Sequence, residues 1–152
     1  AGAVCDVVAQ CGFNAVLWSE AAGALQSLGA GDVVVVDTIG QLQRFYAACD
    51  VAFVGGSLIP HGGQNMLEPA AQGRAVIFGP HTDNFRRDVE LLLEAEAVVQ
   101  VSDPARFVDE LGRLLEDPAL CAAYGERALR VIEQNQGATS KTLELVADLV
   151  GV

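Results

Sequence analysis

The sequence of 152 residues is poor in positive charge, in long apolar runs and in familiar motif spacing. Nine lysines and arginines stand against twenty aspartates and glutamates, for a net charge of −11. A surface of that sign repels a polyphosphate, so nucleic acid is not among the expected partners. The longest apolar runs, "VVVV" at Val33 to Val36 and "VAFVG" at Val51 to Gly55, fall far short of the about 20 residues that a membrane span needs. The chain as it stands is therefore expected to be soluble. Cys5, Cys11, Cys49 and Cys121 contain no CxxC pair and have no histidine near enough to complete a zinc set. They are expected to be reduced core thiols, which suits a cytosolic compartment. There is no internal repeat and no low-complexity segment. The opening "AGAVCDVVAQ" has no initiator methionine and no signal-peptide pattern, and reads as a cut inside a larger protein.

Hydrophobic residues make up 51% of the chain, enough for one domain with a real core. Val4, Val7, Val8 and Cys11 recur at helical spacing and Gly12 follows, which predicts an amphipathic helix with a glycine stop. "FNAVLW", "DVVVVD", "VAFVG", "AVIFG" and "AVVQV" are short and apolar on both faces, as parallel strands covered by helices on both sides are. Helical patterns fill the gaps at Gln41 to Cys49, Asn65 to Gln72, Asn84 to Glu96 and Pro104 to Glu116, the last with Asp103 as N-cap. Past Pro118 the strands stop, and two more helices are expected near Ala119 to Glu133 and Ala138 to Val150. The alternation predicts an α/β fold, a Rossmann-like doubly wound parallel sheet with a helical tail from about residue 118.

In an open parallel sheet ligands bind beyond the carboxyl ends of the strands. Three segments qualify: "DTIG" at Asp37 to Gly40, "GGSLIPHGGQN" at Gly55 to Asn65, and "GPHTDNF" at Gly79 to Phe85. The central one runs from a strand through Gly62 and Gly63 into a helix start, where free backbone N–H groups and a helix dipole can hold a phosphate. Its spacing is neither GxGxxG nor GxxxxGK[ST], and phosphate binding stands level with a plain structural loop. Glu68, about one turn into the helix, can accept hydrogen bonds from a ribose diol, or can simply favour the helix dipole. His61 and His81 lie in different loops without a carboxylate or thiol at metal spacing, so no metal is expected. Asp37 is either a base or a tie for the next turn, and the second is the commoner use of such a residue. Ser57 sits in "GGSLI", without the GxSxG elbow or the partners of a hydrolase. Trp18, Phe45, Tyr46 and Phe53 are expected in the core.

The run "DTIGQLQRFYAACDVAFVGGSLIPHGGQNMLEPAAQGRAVIFGPHTDNF", from Asp37 to Phe85, closely resembles the C-terminal domain of the 3-deoxy-D-manno-octulosonic acid (Kdo) transferases of lipopolysaccharide synthesis. The likeness resumes in the tail at "QNQGATSKTLELV". It implies a B-type glycosyltransferase (GT-B) with two Rossmann-like domains facing a cleft, and makes all of 1–152 a truncated C-terminal donor domain. That domain would hold CMP-Kdo. The missing N-terminal domain would carry the membrane anchor, the site for the lipid A precursor and the catalytic carboxylate, on the cytoplasmic face of the bacterial inner membrane. Transfer would invert the anomeric centre, and no cofactor is implied.

Carried over residue by residue, the resemblance puts the cytosine against backbone near Ile39 and Gly40. Gly55, Gly56, Gly62, Gly63 and Asn65 would approach the phosphate, and Glu68 would bind the ribose. This chain departs from the pattern in Gln41, where glutamate is usual, in Met66, where proline is usual, and in lacking a "PRH" segment before the first helix. It should therefore hold the donor weakly, and without the base it should not turn over. The alternatives are another B-type glycosyltransferase or UDP-sugar epimerase domain, or a non-catalytic nucleotide-binding module. The family's domain begins with two strands that precede the first helix seen here. Their absence would leave "FNAVLW" and "DVVVVD" either to pair with each other or to form a homo-oligomer covering the edge at Val33 to Val36.

Overall fold

The computed structural model describes residues 1–21 and 28–135, which fall into two compact units divided between Leu42 and Gln43. In the first, helix α1 (Gly2–Gln10) precedes strands β1 (Asn14–Leu17) and β2 (Asp32–Val35). Gly12 ends α1 as expected: its N–H donates to the Ala9 carbonyl, and that of Phe13 to Val8. The two strands pair in parallel, with Asn14 opposite Asp32 and Leu17 opposite Val35. Polar ties close both ends. Asn14 Nδ2 donates to Asp32 Oδ1 at 2.7 Å, and the Ser19 N–H and hydroxyl both donate to the Asp37 carboxylate, at 2.9 and 2.6 Å. Those two bonds hold the Asp37 carboxyl below the usual aspartate range, the hydroxyl contributing most. The carboxylate is thus engaged in tying down the turn after β1.

Burial in this unit departs from the periodicity. Val4 and Val7 are more than half exposed and Cys11 is exposed, while Cys5 and Val8 are half-buried. Val33 and Val36 are also exposed. A two-stranded sheet with a single helix among its described residues covers one face only, so residues patterned for two covered faces remain in solvent.

The second unit begins one residue into α2 (Leu42–Ala48) and continues through β3 (Val51–Val54), α3 (Leu67–Ala71), β4 (Ala75–Phe78), a 3₁₀ turn (Asp83–Phe85), α4 (Arg86–Glu94), β5 (Val99–Gln100), α5 (Pro104–Glu116) and α6 (Pro118–Asn135). The strands form a parallel sheet of order β3-β4-β5, with Val51 opposite Ala75 and Ile77 opposite Val99. The five described strands therefore make two separate sheets rather than one. The central strand β4 is buried throughout, and its side chains alternate. Val76 and Phe78 enter a cluster with Met66, Val89, Leu92 and Ala128 from α4, α6 and the start of α3, whereas Ala75 and Ile77 pack with Val99, Leu114 and Cys121 on the α5 side. Helices on both faces make this a doubly wound α/β unit. The expected helix at Ala138 to Val150 lies outside the described residues.

Two glycines fix how the helices meet the sheet. Gly73, with φ of +65°, ends α3 in a Schellman arrangement: its N–H donates to Ala70 and that of Arg74 to Pro69. Gly125 of α6 lies directly over this turn, where a Cβ would stand 2.0 Å from the Gly73 carbonyl oxygen. The Arg74 guanidinium donates to the Ala47 carbonyl, and its Nε is buried without a partner.

Asp103 caps α5, accepting from the Arg106 N–H at 3.0 Å and from the Ser102 hydroxyl at 2.6 Å. Asp103→Ala is expected to cost about 1 kcal/mol, measured as a shifted midpoint of chemical denaturation with unchanged slope. An unchanged midpoint would show the cap to be idle.

Phe53 is an exception to the expected core: it is 41% exposed because β3 is an edge strand, and its ring meets only Phe107, at a centroid distance of 4.6 Å, among the aromatic pairs of the described residues. Trp18, Phe45 and Tyr46 are half-buried. The four cysteines are free; Cys121 is buried, Cys5 and Cys49 are half-buried and Cys11 is exposed, so only Cys121 matches the expectation of a core thiol in full.

Candidate functional site

The loop after β3 is closed by its own backbone. The Gly63 N–H donates to Gly56 at 3.1 Å and that of Gln64 to Gly55 at 3.2 Å. Gly56, Gly62 and Gly63 all take positive φ, from +70 to +84°, which a side chain would resist. The Gly63 N–H is therefore spent inside the loop, and the sequence expectation that it stands free for a phosphate does not hold for that atom.

Space makes a second demand. A Cβ on Gly62 would stand 2.6 Å from Asn84 Nδ2, and one on Gly63 2.9 Å from the His81 carbonyl oxygen. Gly62 and Gly63 thus let the loop after β3 lie against the loop after β4. Ser57, fully buried, joins the two: its hydroxyl donates to the Val54 carbonyl at 2.5 Å and accepts from the Gly79 N–H at 2.8 Å. Its own carbonyl accepts from His81 N–H at 2.9 Å.

Asn65 and Glu68 form a pair at the start of α3. Asn65 Oδ1 accepts from the Leu67 N–H at 3.0 Å, and Asn65 Nδ2 donates to Glu68 Oε1 at 3.1 Å. The amide oxygen closes an Asx turn onto the first N–H of the helix, and its nitrogen steadies the carboxylate. Both residues line a cavity of about 330 Å³ together with Gln43, Gln72, Asp88 and Asn135. Tyr46 lies close by; burial first, and then the negative charge of Glu68, push its phenol above the usual range. A cavity lined by amide and carboxylate groups is suited to hydroxyl donors such as a sugar diol.

In the first unit, Ile39 of the "DTIG" turn is fully exposed and Gly40 has φ of +83°. His61 is exposed and His81 half-buried. Among the described residues no group of three or more His, Cys, Asp or Glu is placed to hold a metal, and no helix is long and apolar enough to cross a membrane. Sequence reasoning missed Gln43, Asp88 and Asn135, which join the cavity from distant helices and carry no local signal. It weighed Ser57 only as a nucleophile, and its burial between two loops has no signal in the sequence.

No family model matches the chain. It is 39% identical over 87% of its length to the 3-deoxy-D-manno-octulosonic acid transferase of Bordetella pertussis, and 36% identical over 75% to that of Haemophilus influenzae. These matches take up 33% and 27% of the two relatives, so the chain spans about a third of their length. Its fold is similar to a crystal structure of the C-terminal CMP-Kdo binding domain of WaaA from Acinetobacter baumannii, with a TM-score of 0.73 and 29% identity over 84% of this chain and 65% of that one. With that degree of identity over most of its residues, the chain is similar to about a third of a 3-deoxy-D-manno-octulosonic acid transferase.

Proposed function

We propose that this chain is the donor-binding domain of a Kdo transferase, holding CMP-Kdo while the whole enzyme passes the Kdo group, with inversion, to a hydroxyl of a lipid A precursor. The observation that carries this reading is the glycine loop leading into the Asn65–Glu68 pair at the carboxyl end of β3, in a chain that shares its fold with a CMP-Kdo binding domain. Glu68 takes the ribose diol, with Asn65 holding one carboxylate oxygen so that the other faces the ligand. Gly55, Gly56, Gly62 and Gly63 shape the approach to the phosphate, and the backbone at Ile39 and Gly40 meets the cytosine. The acceptor site, the catalytic carboxylate and attachment to the cytoplasmic face of the inner membrane belong to the rest of the enzyme. Homo-oligomerisation through the exposed Val33 and Val36 strand edge is part of the same proposal, and a dilution series in light scattering decides it: a strict monomer at all concentrations removes it.

Titration followed by NMR tests the donor assignment. CMP is expected to bind at about millimolar strength, roughly −4 kcal/mol, with shifts centred on Gly55 to Glu68, while UDP binds more weakly. A hydrogen bond to a charged acceptor contributes roughly 1.5–3 kcal/mol, so Glu68→Gln should weaken CMP by about one to two decades. An equal response to UDP, or full CMP affinity in Glu68→Gln, would remove the cytidine or the ribose assignment respectively.

A further inference from the structure

Ser57 is the only fully buried polar side chain among the described residues, and it lies in a loop whose Gly55, Ile59, Pro60 and His61 are exposed. Every polar atom of its side chain is committed. The hydroxyl donates back to the last residue of β3, Val54, and accepts from the first residue after β4, Gly79. Two residues further on, the His81 N–H reaches the Ser57 carbonyl. One residue therefore fastens the second loop at two points. The approach is so close that a Cβ on Gly79 would lie 2.3 Å from the Ser57 carbonyl oxygen. Beyond the fastening, the Asn84 N–H donates to Gly62 at 3.4 Å and Gly63 sits against the His81 carbonyl, so Gly55–Asn65 and Gly79–Asn84 form one slab. A hydroxyl whose proton is held by a carbonyl, and which no solvent reaches, has no nucleophilic role.

We propose that Ser57 is a positioning residue for the donor site: by locking the loop after β3 to the loop after β4, it fixes the glycine backbone that faces the nucleotide phosphate. The inference rests on the donor reading above, and extends it by assigning the rigidity of the rim to one residue that itself touches no ligand. Each bond Ser57 makes is internal, and the two loops it joins come from different strands, so the loss should appear in ligand affinity and in local opening before it appears in the sheet.

The test compares the chain with Ser57→Ala and with Leu114→Val, a core truncation lined up with Asp50 and Ala75 at the opposite, amino ends of β3 and β4. CMP is the probe, well below the melting temperature of each variant, and amide hydrogen exchange is followed in parallel. Ser57→Ala is expected to bind CMP at least about tenfold more weakly, a change of about 1.4 kcal/mol. The amides of Gly79 and His81 should lose protection while those of Val76 and Ile77 keep theirs. Leu114→Val should lose stability and leave CMP affinity unchanged. CMP binding by Ser57→Ala within twofold of the parent, unaltered protection at Gly79 and His81, or an equal loss of affinity in Leu114→Val would each overturn the inference. Failure of the parent chain to bind CMP would remove the donor reading instead, with the exchange data still deciding whether Ser57 locks the loops. If Ser57→Ala does not fold, Ser57→Cys keeps the shape while weakening the hydrogen bonds, and the same readouts apply.

Discussion

Gly125→Ala is expected to lower the melting temperature of the second unit by roughly 5–10 °C, the shift that about 2 kcal/mol produces at this size. Helix propensity alone points the other way, since alanine in a helix interior is favoured over glycine by about 1 kcal/mol. Tertiary contact decides the sign. The added methyl would stand 2.0 Å from the Gly73 carbonyl oxygen and 2.7 Å from its carbon. Neither atom can withdraw, because Gly73 closes the Schellman turn of α3 and its successor Arg74 leads straight into β4. The helix must move off the sheet, disturbing the packing of Ala128 against Val76 and Phe78 in the larger core cluster. Overpacking of this kind costs about 1–3 kcal/mol and sometimes more, and a backbone collision belongs at the upper end. A rise in melting temperature would mean that α6 sits further from Gly73 than described.

Gly79→Ala should do more damage still, and at the rim. Gly79 has no positive φ to defend; its constraint is space, with a Cβ only 2.3 Å from the Ser57 oxygen and 2.7 Å from the Leu58 nitrogen. Relief requires the loops after β3 and β4 to part, which breaks the bonds from Gly79 and His81 to Ser57. Leaving a buried donor or acceptor unpaired costs about 1–3 kcal/mol each. The expected result is a loss of about 3 kcal/mol or more in denaturation, together with loss of the CMP response in NMR titration. Retention of both would mean that the two loops are free to slide apart without consequence.

Elements whose shape is dictated locally were legible in the sequence. The α5 limits, Pro104–Glu116 with Asp103 as cap, match the expectation, because the cap, the proline at the first turn and the apolar spacing all act within a few residues. The strands of the second unit were equally visible, since a strand covered on both faces is apolar throughout and says so. In the first unit the same apolar code misled: it describes a sheet with two covered faces, whereas among the described residues α1 is the one helix of this unit before β2, and Val33 and Val36 are exposed. The candidate site divided along the same line. Glu68 was visible as a carboxylate at a helix start, but its bond from Asn65, which the resemblance put at the phosphate, was not read. The contact of Gly62 with Asn84, or of Ser57 with Gly79, joins loops about twenty residues apart, and no local pattern encodes it.

The distribution of the four thiols gives the molecule an order of chemical reactivity. Burial pushes the Cys49 and Cys121 thiols above their ordinary range, and each donates to a carbonyl, Cys49 to Tyr46 and Cys121 to Asp50. An alkylating reagent needs both access and thiolate, and those two sites deny it one or the other. Cys11, exposed just past the end of α1, stands open to the same reagent. A fluorophore or spin label carried by a maleimide therefore enters first beside the Gly12 turn, marking the small unit while the core beneath α6 stays untouched.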